Sequence, residues 1–216
     1  MKKLFIFDMD FTLIDCSPAI LKCSGYAFAR LGYTNIAPED MLKTVGLTLR
    51  DSYTAVTGDS EPRNRDEFYK LYEEMSAGET IKSTVMLPGA VELLRRIKQN
   101  GCLAAVVSTK HRARITGILK RFALDDCVAF TAGADDVDIE KPHPEGVLRA
   151  LKTLNTSRSE AAYVGDSATD AQTARNSGID FYGVLTGPMT REQFSAMGEE
   201  QVFDDLFRLS EYIFGR

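Results

Sequence analysis

The stretch LFIFDMDFTLID, residues 4–15, decides how the rest of the chain is read. Leu4 to Phe7 form an unbroken apolar run, the pattern of a short strand covered on both faces. Asp8 and Asp10 follow directly, with Asp15 five residues further on. Aspartates crowded at the end of a buried strand repel one another and lose hydration, so they are tolerable only beside a counter-charge. In a parallel α/β sheet that end of the strand is where ligands gather.

The chain beyond about Leu87 predicts such a sheet. Pro88 is expected to open a helix, AVELLRRIKQN, that Gly101 closes. CLAAVVS reads as a buried strand, HRARITGILKRFA as a helix and VAFTA as a short strand. HPEGVLRALKTLN is helical, AAYVGD a strand, SATDAQTARNSG a helix ending at Gly178, and FYGVLTG a strand before a last helix in FDDLFRLSEYIF. Strands alternating with helices imply right-handed crossovers and a parallel sheet. The segment 15–82 differs. Ser17-Pro18 forms an N-cap and first-turn pair for a helix that stops at Gly32, and further helices are expected near 38–45, 48–57 and 63–77, with no strand pattern. The expected fold class is α/β. A Rossmann-like parallel sheet core with helices on both faces, residues 1–14 and 83–216, carries an inserted all-helical domain at 15–82.

Composition narrows the function. With 44% hydrophobic and 26% charged residues the chain has material for an ordinary soluble core, and a net charge of −5 argues against a nucleic-acid partner. The apolar run after Met-Lys-Lys is too short for a signal peptide, and no stretch is long enough to span a bilayer. Cys16, Cys23, Cys102 and Cys127 are scattered without a CxxC pair, so a cytoplasmic protein with reduced thiols and no membrane partner is expected. Cys23 and Cys102 are expected in the core, and Cys16, at the entry to the helical domain, partly accessible.

The predicted strand ends converge on one chemistry. The first ends in Asp8-Met9-Asp10, the next in Ser108-Thr109-Lys110, and a later one in Gly165-Asp166-Ser167 with Asp170 beyond; Glu140-Lys141-Pro142-His143-Pro144 intervenes. Asp8, Asp166 and Asp170 are hard oxygen donors suited to Mg²⁺, and no histidine or cysteine cluster points to zinc. A metal, a lysine and a hydroxyl around an aspartate make a site for phosphate. One aspartate could attack phosphorus while the other of the DxD pair handles the proton.

In that order DMDFTLID, VVSTK, EKPHP and VGDSATD resemble the four motifs of the haloacid dehalogenase-like phosphohydrolases, and the resemblance spans essentially the whole chain, the helical insertion matching that superfamily's cap. It implies Asp8 as nucleophile, Asp10 as general acid and base, and Lys141 as the lysine balancing charge on nucleophile and phosphate. Thr12, Ser108 and Thr109 would contact the phosphoryl group. Mg²⁺ would be held by Asp8, Asp166, Asp170 and the backbone carbonyl of Asp10. LPGAVELLRRIKQNG, STK, KPHP and GDSATDAQTARNSG look most like the phosphoglycolate phosphatase group, and VGLTLRDS resembles a cap segment that would bring Gly46 and Arg50 to the substrate. The planar fork of Arg50 would bind a carboxylate or distal phosphate. The resemblance thus implies a Mg²⁺-dependent phosphomonoester hydrolase working through an aspartyl-phosphate on a small phosphorylated metabolite such as 2-phosphoglycolate, as a monomer or homodimer. A sugar-phosphate mutase, a pyrophosphatase or nucleotidase, and a non-catalytic regulatory protein are the rival readings.

One letter departs from the pattern. Phe11 follows the DxD pair where this group usually has glycine. Because a left-handed backbone is costly for phenylalanine, helical or bridge-region torsions are expected there, with the ring against the hinge or the site mouth.

Overall fold

The computed structural model describes residues 2–45 and 47–215, so Gly46 lies outside the described residues. It divides into two compact units, Met1–Asp15 with Val85–Arg216, and Cys16–Thr84.

The first unit is built on a six-stranded parallel sheet of β1 (Leu4–Phe7), β4 (Leu103–Val107), β5 (Phe130–Ala132), β6 (Ala161–Gly165), β7 (Asp180–Val184) and β8 (Val202–Phe203), in the order β5-β4-β1-β6-β7-β8. Two further strands, β2 (Ile14–Asp15) and β3 (Val85–Met86), pair antiparallel as a small ribbon. Leu4 is in register with Leu103 on one side and Ala161 on the other. The chain lays β4 and β5 to one side of β1 and then returns to place β6 on the other. This reversal opens a crevice at the carboxyl ends of β4, β1 and β6.

The second unit is helical: α1 (Ser17–Arg30), α2 (Pro38–Leu42), α3 (Leu49–Thr57) and α4 (Pro62–Ser83). Phe28, Tyr53 and Phe68 form its aromatic centre, with Phe28 and Phe68 ring centroids 4.6 Å apart, and Met41 and Leu71 packed beside them. The aromatic residues near 68–72 therefore serve mainly as core; Tyr69 stays exposed under the guanidinium of Arg50.

The sheet's own helices are α5 (Ala90–Gln99), α6 (Arg112–Arg121), α7 (Glu145–Thr153), α8 (Ala168–Ser177), α9 (Arg191–Ala196) and α10 (Leu206–Phe214). Leu4 and Ile6 share a core cluster with Val147 and Ala150 of α7 and Ala171 and Ala174 of α8, whereas Phe5 meets Phe214 of α10. Covered on both faces, β1 can be apolar at every position, which is why its sequence shows no alternation.

Several local expectations need correction. Helix α1 starts one residue early: Ile20 N–H bonds the Cys16 carbonyl, which makes Cys16 rather than Ser17 the N-cap, with Pro18 in the first turn. Cys16 is buried, not partly accessible, and so are the other three cysteines. Pro88 lies in the turn before α5, whose N-cap is the left-handed Gly89. The ribbon β2–β3, helix α9 and strand β8 are too short to leave a periodic signal in the sequence.

Candidate active site

The carboxyl end of β1 delivers Asp8 to the crevice, and its flanking strands deliver Ser108 after β4 and Asp166 after β6. All three side chains are buried. Lys141, from the loop before α7, reaches Asp8 Oδ1 at 2.9 Å and Asp170 Oδ1 at 2.7 Å. That loop is tied to α8 by the Asn176 amide, which donates to the Pro142 carbonyl. Burial works against the ammonium of Lys141, but the charges of Asp170 and Asp8 outweigh it and hold the pKa well above the ordinary lysine value.

Asp170 has a full set of partners. Beyond Lys141, its Oδ2 accepts from the backbone N–H groups of Asp166 and Ser167 and from the Ser167 hydroxyl, while Ser167 Oγ accepts from the Asp170 N–H to close a capping box at the start of α8. The close approach needs Gly165, where a Cβ would stand 2.4 Å from the Asp170 side chain. Asp166 has much less support. Its Oδ1 accepts from the buried Thr12 hydroxyl at 2.7 Å. Burial, then the charges of Asp170 and Asp8, push its carboxyl up to about 8.

Asp8, Asp166 and Asp170 each offer an oxygen, and these lie within 4.8 Å of one another. Asp8 Oδ1 and Asp10 Oδ1 are inaccessible and, among the described residues, make no directed hydrogen bond, although each lies within ion-pair distance of a lysine. Three buried carboxylates whose oxygens converge, one of them raised to about 8, with a single lysine shared between the other two, are hard donors with an excess of negative charge that a small divalent cation would offset. The residues present fit such an ion.

The other sequence-derived candidates fall into place unevenly. Asp10, half-buried, lies 3.1 Å from Lys110 Nζ and outside the carboxylate trio, which leaves its carbonyl for the role that the resemblance implies. Thr12 holds Asp166, so its hydroxyl is engaged by protein. Ser108 accepts from the Lys110 N–H at 3.3 Å, whereas Thr109 is exposed. Arg50, in the helical unit, is engaged by Asp66 at 2.6 Å and lies over the Tyr69 ring.

Tyr163, which sequence reasoning missed, also belongs here. Fully buried on β6, it accepts from Lys141 Nζ at 3.1 Å and donates to the Val107 carbonyl at 2.7 Å. Its signal was a phenol tip inside the otherwise apolar AAYVG, which needs a partner once buried.

Phe11 overturns the expectation of helical or bridge torsions: its φ is +54°. Its N–H bonds the Ile14 carbonyl and its own carbonyl accepts from the Thr186 hydroxyl at 2.6 Å, so both peptide groups are held in a left-handed turn that local sterics oppose.

A family model described as haloacid dehalogenase-like hydrolase matches residues 5–184. A phosphoglycolate phosphatase of Rhodobacter capsulatus is 30% identical over 220 residues, covering 100% of this chain and 98% of that protein. The pyrophosphatase PpaX of Listeria monocytogenes serotype 4b is 28% identical and covers 88% and 87%. Among solved structures, one from Bacteroides fragilis described as haloacid dehalogenase-like superposes with a TM-score of 0.85 at 32% identity, over 97% of this chain and 100% of that one.

Proposed function

Since the chain belongs to the haloacid dehalogenase-like hydrolases, we propose that it is a Mg²⁺-dependent phosphatase that removes the phosphoryl group of a small metabolite through an aspartyl-phosphate on Asp8. The observation that carries this is Asp8 itself: a buried carboxylate at the end of the central strand, charge-balanced by Lys141 2.9 Å from its Oδ1 and converging with Asp166 and Asp170.

In this reading an Asp8 oxygen bonds phosphorus as the ester P–O bond breaks, and Asp10 gives its proton to the departing oxygen. Asp10 then takes a proton from water, which attacks phosphorus and frees Asp8 and inorganic phosphate. Lys141 and Ser108 receive the phosphoryl oxygens. Asp8, Asp166 and the Asp10 carbonyl would hold Mg²⁺, with Asp170 behind them fixing Lys141 and the start of α8. The ion would supply charge neutralisation on the phosphoryl group and between the carboxylates.

A second reading, hydrolysis of pyrophosphate, has one specific support. Lys110 stands 3.1 Å from the carboxylate of the proposed proton donor, and a cation there would favour an anionic leaving group. The relative named as a pyrophosphatase agrees with it.

Phosphate release from an aryl phosphate, 2-phosphoglycolate, pyrophosphate and a metabolite panel, with and without Mg²⁺, tests both readings. A mutase would release little phosphate and need a bisphosphate activator. The absence of hydrolysis across the panel would favour a regulatory protein. If Arg50→Ala left KM and substrate ranking unchanged, its proposed contact with substrate would be wrong.

A further inference from the structure

The loop after β7 makes two contacts that the proposed chemistry does not use. Thr186 donates its hydroxyl to the carbonyl of Phe11, 175 residues away. Next to it, Gly187 lies against Asp166: a Cβ on Gly187 would fall 1.8 Å from Asp166 Oδ2 and 2.5 Å from its Cγ. Asp166 cannot simply swing aside, because it is 3% exposed and its other oxygen is held by Thr12. Thr12 directly follows Phe11. The contacts close a circuit: Thr186 to the Phe11 carbonyl, Thr12 to Asp166 Oδ1, and Asp166 Oδ2 to the bare backbone of Gly187.

We propose that Thr186 and Gly187 are positioning residues that seat the Asp10–Thr12 turn and the Asp166 carboxylate for divalent-cation binding. A phenylalanine in the left-handed region persists only where its surroundings over-determine it. The hydroxyl of Thr186 supplies the restraint on the carbonyl side that a glycine would need less. Released from it, the turn can relax toward right-handed torsions, carrying the Asp10 carbonyl and the Thr12 hydroxyl with it. Gly187 acts by lacking a side chain, so that Asp166 occupies the space a Cβ would take.

This rests on the metal-dependent part of the proposed function, and its test does not need turnover. Mn²⁺ binding to the full chain is measured by the loss of the free-ion electron paramagnetic resonance signal for wild type, Thr186→Val, Thr186→Ser and Gly187→Ala. Partners that orient metal ligands contribute about 10–100-fold in affinity, so Gly187→Ala and Thr186→Val should each weaken binding by about tenfold or more, while Thr186→Ser, which keeps the hydroxyl, stays within about threefold of wild type. Introducing Phe11→Gly should shrink the Thr186→Val penalty, because a glycine holds the turn with less restraint. Melting of the metal-free variants guards against misfolding, since Val is isosteric with Thr. Wild-type affinity in both Thr186→Val and Gly187→Ala would overturn the proposal, as would Thr186→Ser binding as weakly as Thr186→Val, or a wild type that binds no Mn²⁺. Aryl phosphate hydrolysis by wild type is scored separately: turnover with unchanged variant affinities rejects the positioning role alone, and weakened affinities without turnover reject the phosphatase reading alone.

Discussion

The two units bury polar atoms in opposite ways. At the centre of the helical unit the Tyr53 hydroxyl donates to Asp59 and shares a hydrogen bond with Tyr33, and Asp59 also accepts from Asn64 and the Glu61 N–H. Burial, with these neighbours, keeps the Tyr53 phenol neutral far above its ordinary range. At the end of β1, by contrast, one oxygen each of Asp8 and Asp10 is met by lysine charge, Lys141 at 2.9 Å and Lys110 at 3.1 Å, rather than by a directed hydrogen bond among the described residues, and burial with neighbouring charge raises the Asp166 carboxyl. Buried polarity that serves only the fold is satisfied within the fold. At the carboxyl end of the central strand three buried carboxylates converge with one lysine shared between two of them, a surplus of negative charge that an arriving cation would offset.

The sharpest way to break that contrast is Asp8→Asn. If Asp8 is the nucleophile, the variant should lose about 1,000-fold or more of phosphate release and form no acid-labile phosphoenzyme, with the fold retained by circular dichroism. Substantial residual turnover would return Asp8 to the structural class.

Lys141→Ala tests the counter-charge. It strips the shared partner from Asp8 and Asp170 inside the protein, so stability should fall by about 3–5 kcal/mol in urea titrations, alongside lost activity. A loss below about 1 kcal/mol, the range of exposed pairs, would mean that water reaches the cluster freely.

The pH dependence of the metal-free protein is next. Asp166 is raised above its unfolded value of about 3.9, so the folded chain holds a proton that the unfolded chain has released. Its contribution is complete below about pH 4 and is lost as pH rises toward about 8. Asp170 is shifted in the same direction, chiefly by burial. Melting in EDTA should therefore give a lower Tm at pH 8.5 than at pH 6, with added Mg²⁺ restoring the most at the alkaline end. A Mg²⁺ effect independent of pH would detach the ion from these carboxylates.

Tyr53→Phe should have the smallest effect. Asp59 and Tyr33 each lose one bond in a centre whose aromatic packing is unchanged, so the cost should be about 1 kcal/mol in denaturant melts. A much larger loss would place the helical unit's polar trio in the same strained class as the strand end.

Legibility in the sequence followed distance along the chain. Asp8, Ser108 and Asp166 could be found because each directly follows an apolar run, and strand ends in a parallel sheet share one rim. Lys141 was legible through its Pro-flanked motif. Tyr163 was not, because its role depends on Lys141, 22 residues earlier, and on Val107 in another strand. Lys110 falls at a predicted strand end, but its pairing with the Asp10 carboxylate is not legible along the chain. Phe11 is the instructive miss. Local sterics argued against a left-handed residue, and a hydroxyl from beyond β7 outweighed them.

By itself the sequence determined the order of the longer strands and helices, the parallel sheet, the helical insertion and the set of carboxylates at the rim, because periodicity and strand ends are local properties. Only the tertiary structure decided which oxygens are met by hydrogen bonds and which by lysine charge, that Asp170 is saturated while the Asp166 carboxyl is raised, and that Phe11 is held left-handed with its carbonyl on Thr186. Those outcomes depend on desolvation and on hydrogen bonds between residues far apart in the chain, and neither exists until the sheet closes around them.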